Sequence, residues 1–320
     1  MKPLVLAAVA VFIFALLSLF IGVSDVTPQT LWSSSADDRA TQVLLISRIP
    51  RTLAIVLSGA SMGVVGMIMQ ILARNRFVEP STAGTVESAS LGLLVVTALA
   101  PGVSVFGKML AATVFALAGT ALFLRILRQI PLRSVLVVPL VGLMLGGVIN
   151  AITTFFAYRL DLLQSLNSWM TGSFSGVLMG RYELLWLSFA LLIVAYIAAD
   201  QFTVAGLGQD FTTNLGMNYG RVMTLGLIIV AMVTAVVVVT VGMIPFLGLV
   251  VPNIVRLLFG DNVRQATPWV ALFGAGFVLV CDIIGRVVRF PYEIPIGVVV
   301  GVAGSILFLY LLLRRNAHVA

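Results

Sequence analysis

Apolar residues run in long blocks along the chain, at 4–23, 52–72, 83–100, 104–127, 135–157, 182–199, 222–241, 245–259, 268–288 and 294–313, separated by short polar or Pro/Gly-bearing breaks. Most blocks reach the ~20 residues that an α-helix needs to cross a hydrocarbon layer about 30 Å thick. The pattern predicts an all-α integral membrane protein of about ten transmembrane helices in one domain over 1–320. Two blocks fit poorly. The 83–100 block contains Glu87, and 245–259 is too short to span as a straight helix, so both are expected to tilt, break or re-enter. Irregular backbone at that depth is tolerated only inside protein or beside a cavity. The first block is too long for the apolar region of a signal peptide and is read as a retained helix.

Composition agrees: 60% of residues are hydrophobic and 10% charged, against roughly 45–50% and about 25% in an ordinary soluble domain. The net charge of +7 does not point to nucleic acid, because the basic residues lie between apolar blocks and form no stripe with aromatics. They report topology instead. With a cytoplasmic N-terminus and ten segments the C-terminus is cytoplasmic too, and eleven basic residues fall inside against eight outside. That is the positive-inside bias. The outer eight, among them Arg48, Arg51 and Arg286, need a further explanation.

Small residues recur four apart at Gly59/Gly63, Gly142/Gly146 and Gly297/Gly301. Such faces allow close helix contact; ordinary packing explains them, and a moving gate would use them equally. A Gly-rich span followed by a Pro-bearing short segment occurs at Gly59–Pro80 and again at Gly226–Pro252. With five segments between the copies they would face opposite ways, the inverted internal repeat of many transporters.

Chemistry is sparse. There is no His-Glu-x-x-His, and the sole histidine is His318. Cys281 is the only cysteine, so no set of thiolates and imidazoles can hold a metal, and no bound cofactor is expected. The chain also lacks the Gly-x4-Gly-Lys-Ser/Thr loop, and its only lysines are Lys2 and Lys108. If ATP drives this protein, another polypeptide binds it. Ionisable residues within spans would mark an ion-coupled transporter; the candidates are Glu87, Asp282 and Glu293. Asp282 and Glu293 lie beside Arg286 and Arg289, where a structural ion pair is the plain explanation. For Glu87, between Thr85 and Ser88, a water-filled pathway and a helix cap both remain open.

Three ordered stretches carry a resemblance. Ser47-Arg48-Ile49-Pro50-Arg51 with Gly59, Gly66, Gln70, Asn75, Pro80 and Gly84 is the first; Gly242 to Arg256, including Gly248, Pro252 and Asn253, is the second. The third is Asp282-Ile283-Ile284-Gly285-Arg286 with Glu293-Ile294-Pro295-Ile296-Gly297. Together they resemble FecCD-type permeases, the membrane subunits of binding-protein-dependent ABC importers for iron-siderophores, haem and cobalamin. Asn75-Arg76-Phe77-Val78 stands where the family has Asn-Pro-Leu-Ala, and Pro252-Asn253 where it has Pro-His. The stretch from Ala73 to Thr85 is similar to the catecholate-siderophore subgroup.

The resemblance implies a ferric siderophore moved from periplasm to cytoplasm across the bacterial inner membrane by alternating access. Haem, cobalamin or an ion-coupled secondary mechanism are the alternatives. It implies docking of a periplasmic siderophore-binding protein on Arg48, Arg51 and Arg286, whose forks suit carboxylates; headgroup anchoring would place arginines there too. It implies that 200–221 is a cytoplasmic coupling segment for P-loop ATPase subunits, through Leu207, Gly208, Asp210, Leu215 and Gly216. Trp169, Gly172, Ser173 and Phe174 match a family segment, though Trp is also a common interfacial anchor. Gln70, Glu87, Gly248, Pro252 and Asn253 are the pathway or gate candidates. The remaining expected partner, besides the lipid bilayer, is a second permease subunit, identical or paralogous.

Overall fold

A computed structural model of the chain describes residues 2–22, 39–130 and 137–316. Arg133, His318 and the edges of two apolar blocks, at 23 and 135–136, lie outside the described residues. The described residues form helices joined by turns. Helix α1 covers Lys2–Phe20. A short α2, Arg39–Val43, runs through a π-turn at Leu44–Arg48 into α3, Ile49–Leu72. Then come α4 (Thr85–Leu99), α5 (Val105–Gln129) and α6 (Val137–Arg159). A short α7 (Leu163–Met170) precedes α8 (Leu185–Ile197), which bends by 63° into α9 (Ala199–Gly206). The chain continues with α10 (Gln209–Asn214), α11 (Tyr219–Thr240), α12 (Leu247–Phe259), α13 (Val263–Val287) and α14 (Ile296–Asn316).

Seven helices among the described residues are long and apolar enough to cross a membrane, and the bent α8–α9 pair makes an eighth. The other two of the ten blocks are α4 and α12, of 15 and 13 residues. At 1.5 Å per residue they reach only about 20–23 Å, which is why they stop short of a full span. The second block begins earlier than its hydropathy suggests, since the span runs Ala40–Leu72. Pro50 hides the continuity: it has no N–H for the carbonyl of Ile46. The N–H of Met179 bonds that carbonyl instead at 2.9 Å, and the helix passes the site through the π-turn.

The halves echo one another. A long helix, a break and a short helix occur as α3, 73–84, α4 and again as α11, 241–246, α12; each is followed by a helix of 25 residues, α5 or α13, and then by α6 or α14. Lipid tails are as apolar as side chains, so the halves cohere by close packing. At the α3–α13 crossing a Cβ on Gly59 would stand 2.7 Å from the carbonyl of Gly274. The glycine face of α6 seats the first break, with Gly142 against the carbonyl of Thr82. The glycine face of α14 seats the second, with Gly301 against Pro245 and Gly304 against Phe246.

Candidate functional site

Four of the five pathway candidates meet where α12 crosses α3. Pro252 lies inside α12 and leaves the carbonyl of Gly248 without its helical N–H. Gln70 of α3 donates its Nε2–H to that carbonyl at 3.2 Å. Its reach depends on the backbones touching: a Cβ on Gly66 would collide with Gly248. Asn253, one residue beyond the proline, donates to the carbonyl of Arg76 at 2.8 Å and to Leu249 at 2.7 Å. The first break is thereby stitched along α12, and Arg76 also pairs with Asp261 just past its end.

The start of α12 has no cap of its own. Phe246 precedes it at φ 61°, a left-handed conformation, and offers no side-chain acceptor. Glu79, from the first break, fills the role: its Oε1 accepts from the Phe246 N–H at 2.7 Å and from the Ser81 hydroxyl at 2.6 Å. Glu79 is the member of this cluster that reading the sequence missed. An acid in a polar break looks solvated; the signal that could have found it is the absence of any Ser, Thr, Asn or Asp ahead of α12.

Glu87 stands apart from this cluster. It lies in the first turn of α4, where the helix dipole favours a carboxylate. Its Oε2 is buried without a hydrogen-bond partner, and the carboxyl group faces Gly146 of α6. The anchor of α4 is elsewhere: Thr85 shares a 2.7 Å hydrogen bond with Thr120 of α5.

The 200–221 stretch holds two short helices, α9 and α10, joined at Leu207 and Gly208. Gly208 is buried at φ 120°, where a side chain would be strained, and Gly216 ends the unit at φ 77°. Thr212 fixes α10 from within, donating to the carbonyl of Gly208 at 2.6 Å. Leu207 at the joint, and Phe211 and Leu215 one turn apart on α10 and its end, are 64%, 50% and 58% exposed. That is an apolar ridge, with exposed Asp210 beside it. An ion pair between Asp200 and Arg264, with a 3.2 Å bond from the Val263 N–H to Thr203, ties α9 to the start of α13.

At the far end of α13 lie the three arginines, and here the structure differs from the simple docking picture. Arg48 and Arg286 are only 7% and 3% exposed. Arg51 makes a 2.7 Å ion pair with Asp282 and binds Glu293 at 2.8 Å. Arg286 pairs with Asp282 at 2.5 Å and donates to the Ser18 and Ile21 carbonyls at 2.9 and 2.6 Å; Arg48 also bonds Ile21. These carbonyls belong to the end of α1, whose unmet C=O groups attract cations. The forks are claimed internally by that helix end and two carboxylates. Asp282 and Glu293 are structural ion-pair partners, but of Arg51 and Arg286; Arg289 lies over Tyr292.

Trp169 and Gly172–Phe174 are likewise packed. The Ser173 N–H bonds the carbonyl of Val241 at 2.8 Å, Gly172 touches the carbonyl of Met243, and Phe174 is buried. The segment seats the second break.

The profile of the FecCD transport family matches residues 10–314. The petrobactin import system permease protein YclN of Bacillus subtilis is 51% identical over 97% of this chain and 98% of its own. The petrobactin import system permease protein FatD of Bacillus anthracis is 40% identical, over 98% and 92% respectively. A solved metal-chelate type ABC transporter in an inward-facing conformation superposes with a TM-score of 0.83 over 98% of this chain and 99% of its own, at 24% identity, and shares the fold.

Proposed function

The chain belongs to the FecCD transport family of ABC importer permeases, and on that premise we propose that its cargo is a ferric siderophore of the catecholate class, with petrobactin the first compound to test. The observation that carries this reading is the 51% identity to a petrobactin permease across 97% of the chain. A cargo of this size needs no tight site in the permease. High-affinity selection belongs to a separate binding protein, and the permease gives alternating access.

The orientation follows the positive-inside bias, with both termini in the cytoplasm of a bacterial cell and the α9–α10 segment on the same side. The Leu207–Phe211–Leu215 ridge is the surface for the ATPase subunits: three apolar side chains pointing into water are costly unless a partner covers them. Nucleotide-driven closure pressing on this ridge reaches α13 through Asp200–Arg264 and Thr203. One rigid helix of 25 residues then carries it to the arginine cluster. The binding protein docks at that opposite end. Because Arg51 is already paired, docking requires a partner carboxylate to take the place of Glu293, which at 31% side-chain exposure is the accessible member of the network. A second permease subunit completes the pathway.

The test is reconstitution with a cognate ATPase and binding protein, measuring uptake of ferric petrobactin, haem and cobalamin. ATP-dependent uptake of ferric petrobactin alone is the expected result. Uptake of haem or cobalamin in its place would overturn the cargo assignment, and uptake that needs only a proton gradient would overturn the mechanism.

A further inference from the structure

Glu79 is 1% exposed, and the groups that reach its carboxylate are all donors. They are the Phe246 N–H and Ser81 hydroxyl already described, and the carboxylate also lies against Gly248. The Phe246 N–H is an orphan donor of a helix start, which in an apolar surrounding has no water to turn to. The same turn of α12 has one orphan acceptor, the Gly248 carbonyl freed by Pro252, and Gln70 meets it at 3.2 Å. Both side chains come from α3 and the break after it, 167 residues away in the case of Glu79 and Phe246. Glu79 itself is locked by its own break, where its N–H donates to the Thr82 hydroxyl at 3.0 Å in a capping box. Three residues beyond Thr82 the chain enters α4. A carboxylate so held is a rigid strut between the starts of the two short helices.

We propose that Glu79 is a positioning residue for transport, clamping the start of α12 to the break before α4 so that the two short helices move as one body when the ATPase acts. The inference rests on the permease reading but not on the identity of the cargo. It extends to α14, because a Cβ on Gly304 would stand 2.6 Å from the Cβ of Phe246, so that displacing Phe246 displaces that helix.

The test uses spin labels at Leu99, at the end of α4, and Leu258, near the end of α12, both exposed. Cys281 is buried and does not compete for label. Pulsed dipolar distances are measured on the complex with its ATPase in lipid nanodiscs, nucleotide-free and ATP-trapped. With the label pair confined to one permease subunit of the complex, the expected result is one narrow distance, equal in both states, for the unaltered chain. Glu79→Ala should broaden it or make it state-dependent, Glu79→Gln should do so less, and Glu79→Asp should restore part of the narrow distribution. Uptake per ATP hydrolysed should fall in the same order, by about tenfold for the alanine variant, within the usual range of coupling between sites. A distance that changes between states in the unaltered chain would overturn the proposal. So would a distribution as narrow in Glu79→Ala as before, or failure of the alanine, glutamine and aspartate variants alike to assemble, which would make Glu79 a folding element only. If ferric petrobactin is not transported at all, the cargo assignment falls while the distance measurement still decides this one.

Discussion

The two chain breaks occupy equivalent places in the two halves, yet they are held by opposite means. The second, 241–246, contributes mainly backbone: its Phe246 N–H is met by Glu79 and its Val241 carbonyl by Ser173, both from other parts of the chain, while the glycines of α14 pack against the Pro245 and Phe246 side chains. The first, 73–84, is twice as long and contributes side chains, among them Glu79 and Thr82, while the helix it leads into is anchored nearby through Thr85–Thr120. One half therefore supplies the capping chemistry for both. The short helix α12 depends on the other half for its geometry, and α4 does not. In an alternating-access protein this asymmetry makes α12 the element whose position reports on the rest of the fold.

The sharpest way to break the comparison is at the glycines. Gly66→Ala forces a methyl group into the backbone of Gly248, which cannot yield without moving α12, whereas Gly146→Ala meets only the Glu87 carboxyl at 3.3–3.4 Å. The expected loss for Gly66→Ala is about 3 kcal/mol, the upper end for overpacking, and for Gly146→Ala about 1 kcal/mol or less. Thermal unfolding of the purified protein in one detergent measures both. Equal losses would mean that α4 is held as tightly as α12.

A middle-sized effect isolates the proline-freed carbonyl. Gln70→Leu leaves the buried Gly248 C=O unmet and should cost about 1–3 kcal/mol. Pro252→Ala restores a helical N–H to that carbonyl, so in the double variant the loss should shrink by about 1 kcal/mol relative to the sum of the singles. Strict additivity in the thermal unfolding of the four proteins would show that Gln70 does not serve the carbonyl.

Much of this was legible before any coordinates. Ten apolar blocks, one doubtful for its Glu87 and one for its length, correspond to eight spans and the helices α4 and α12. The Gly-rich span followed by a short Pro-bearing segment appears as the repeated order of helix, break and short helix. Gln70, Gly248, Pro252 and Asn253, picked out on a family resemblance, do come together, because Pro252 creates the acceptor that Gln70 satisfies. What could not be read is partner choice across the chain. Arg48, Arg51 and Arg286 are charges outside any apolar centre, and nothing local says that the end of α1, Asp282 and Glu293 would claim them. Glu79 escaped for the same reason: its partner is a backbone N–H, and every residue has one. The length of the second span was hidden by Pro50, since a π-turn leaves no mark in hydropathy.

The smallest expected effect distinguishes the two glutamates. Glu79 and Glu87 both lie by the start of a short helix, but Glu79 takes two donors on its Oε1 while the Oε2 of Glu87 has no partner. Glu87→Gln gives up a favourable charge at the first turn of α4, worth about 0.3–1 kcal/mol, and also relieves the burial of an unmet charged oxygen. The two terms oppose each other, so the net change in stability should lie within about 0.5 kcal/mol, well below that of Glu79→Gln, where a donor amide would be set against N–H groups. If Glu87 instead faces the cargo, its charge is felt in uptake, and Glu87→Gln should alter the transport rate while leaving the melting temperature nearly unchanged. A melting loss as large as that of Glu79→Gln would make Glu87 a second strut, and the two breaks would then be held alike.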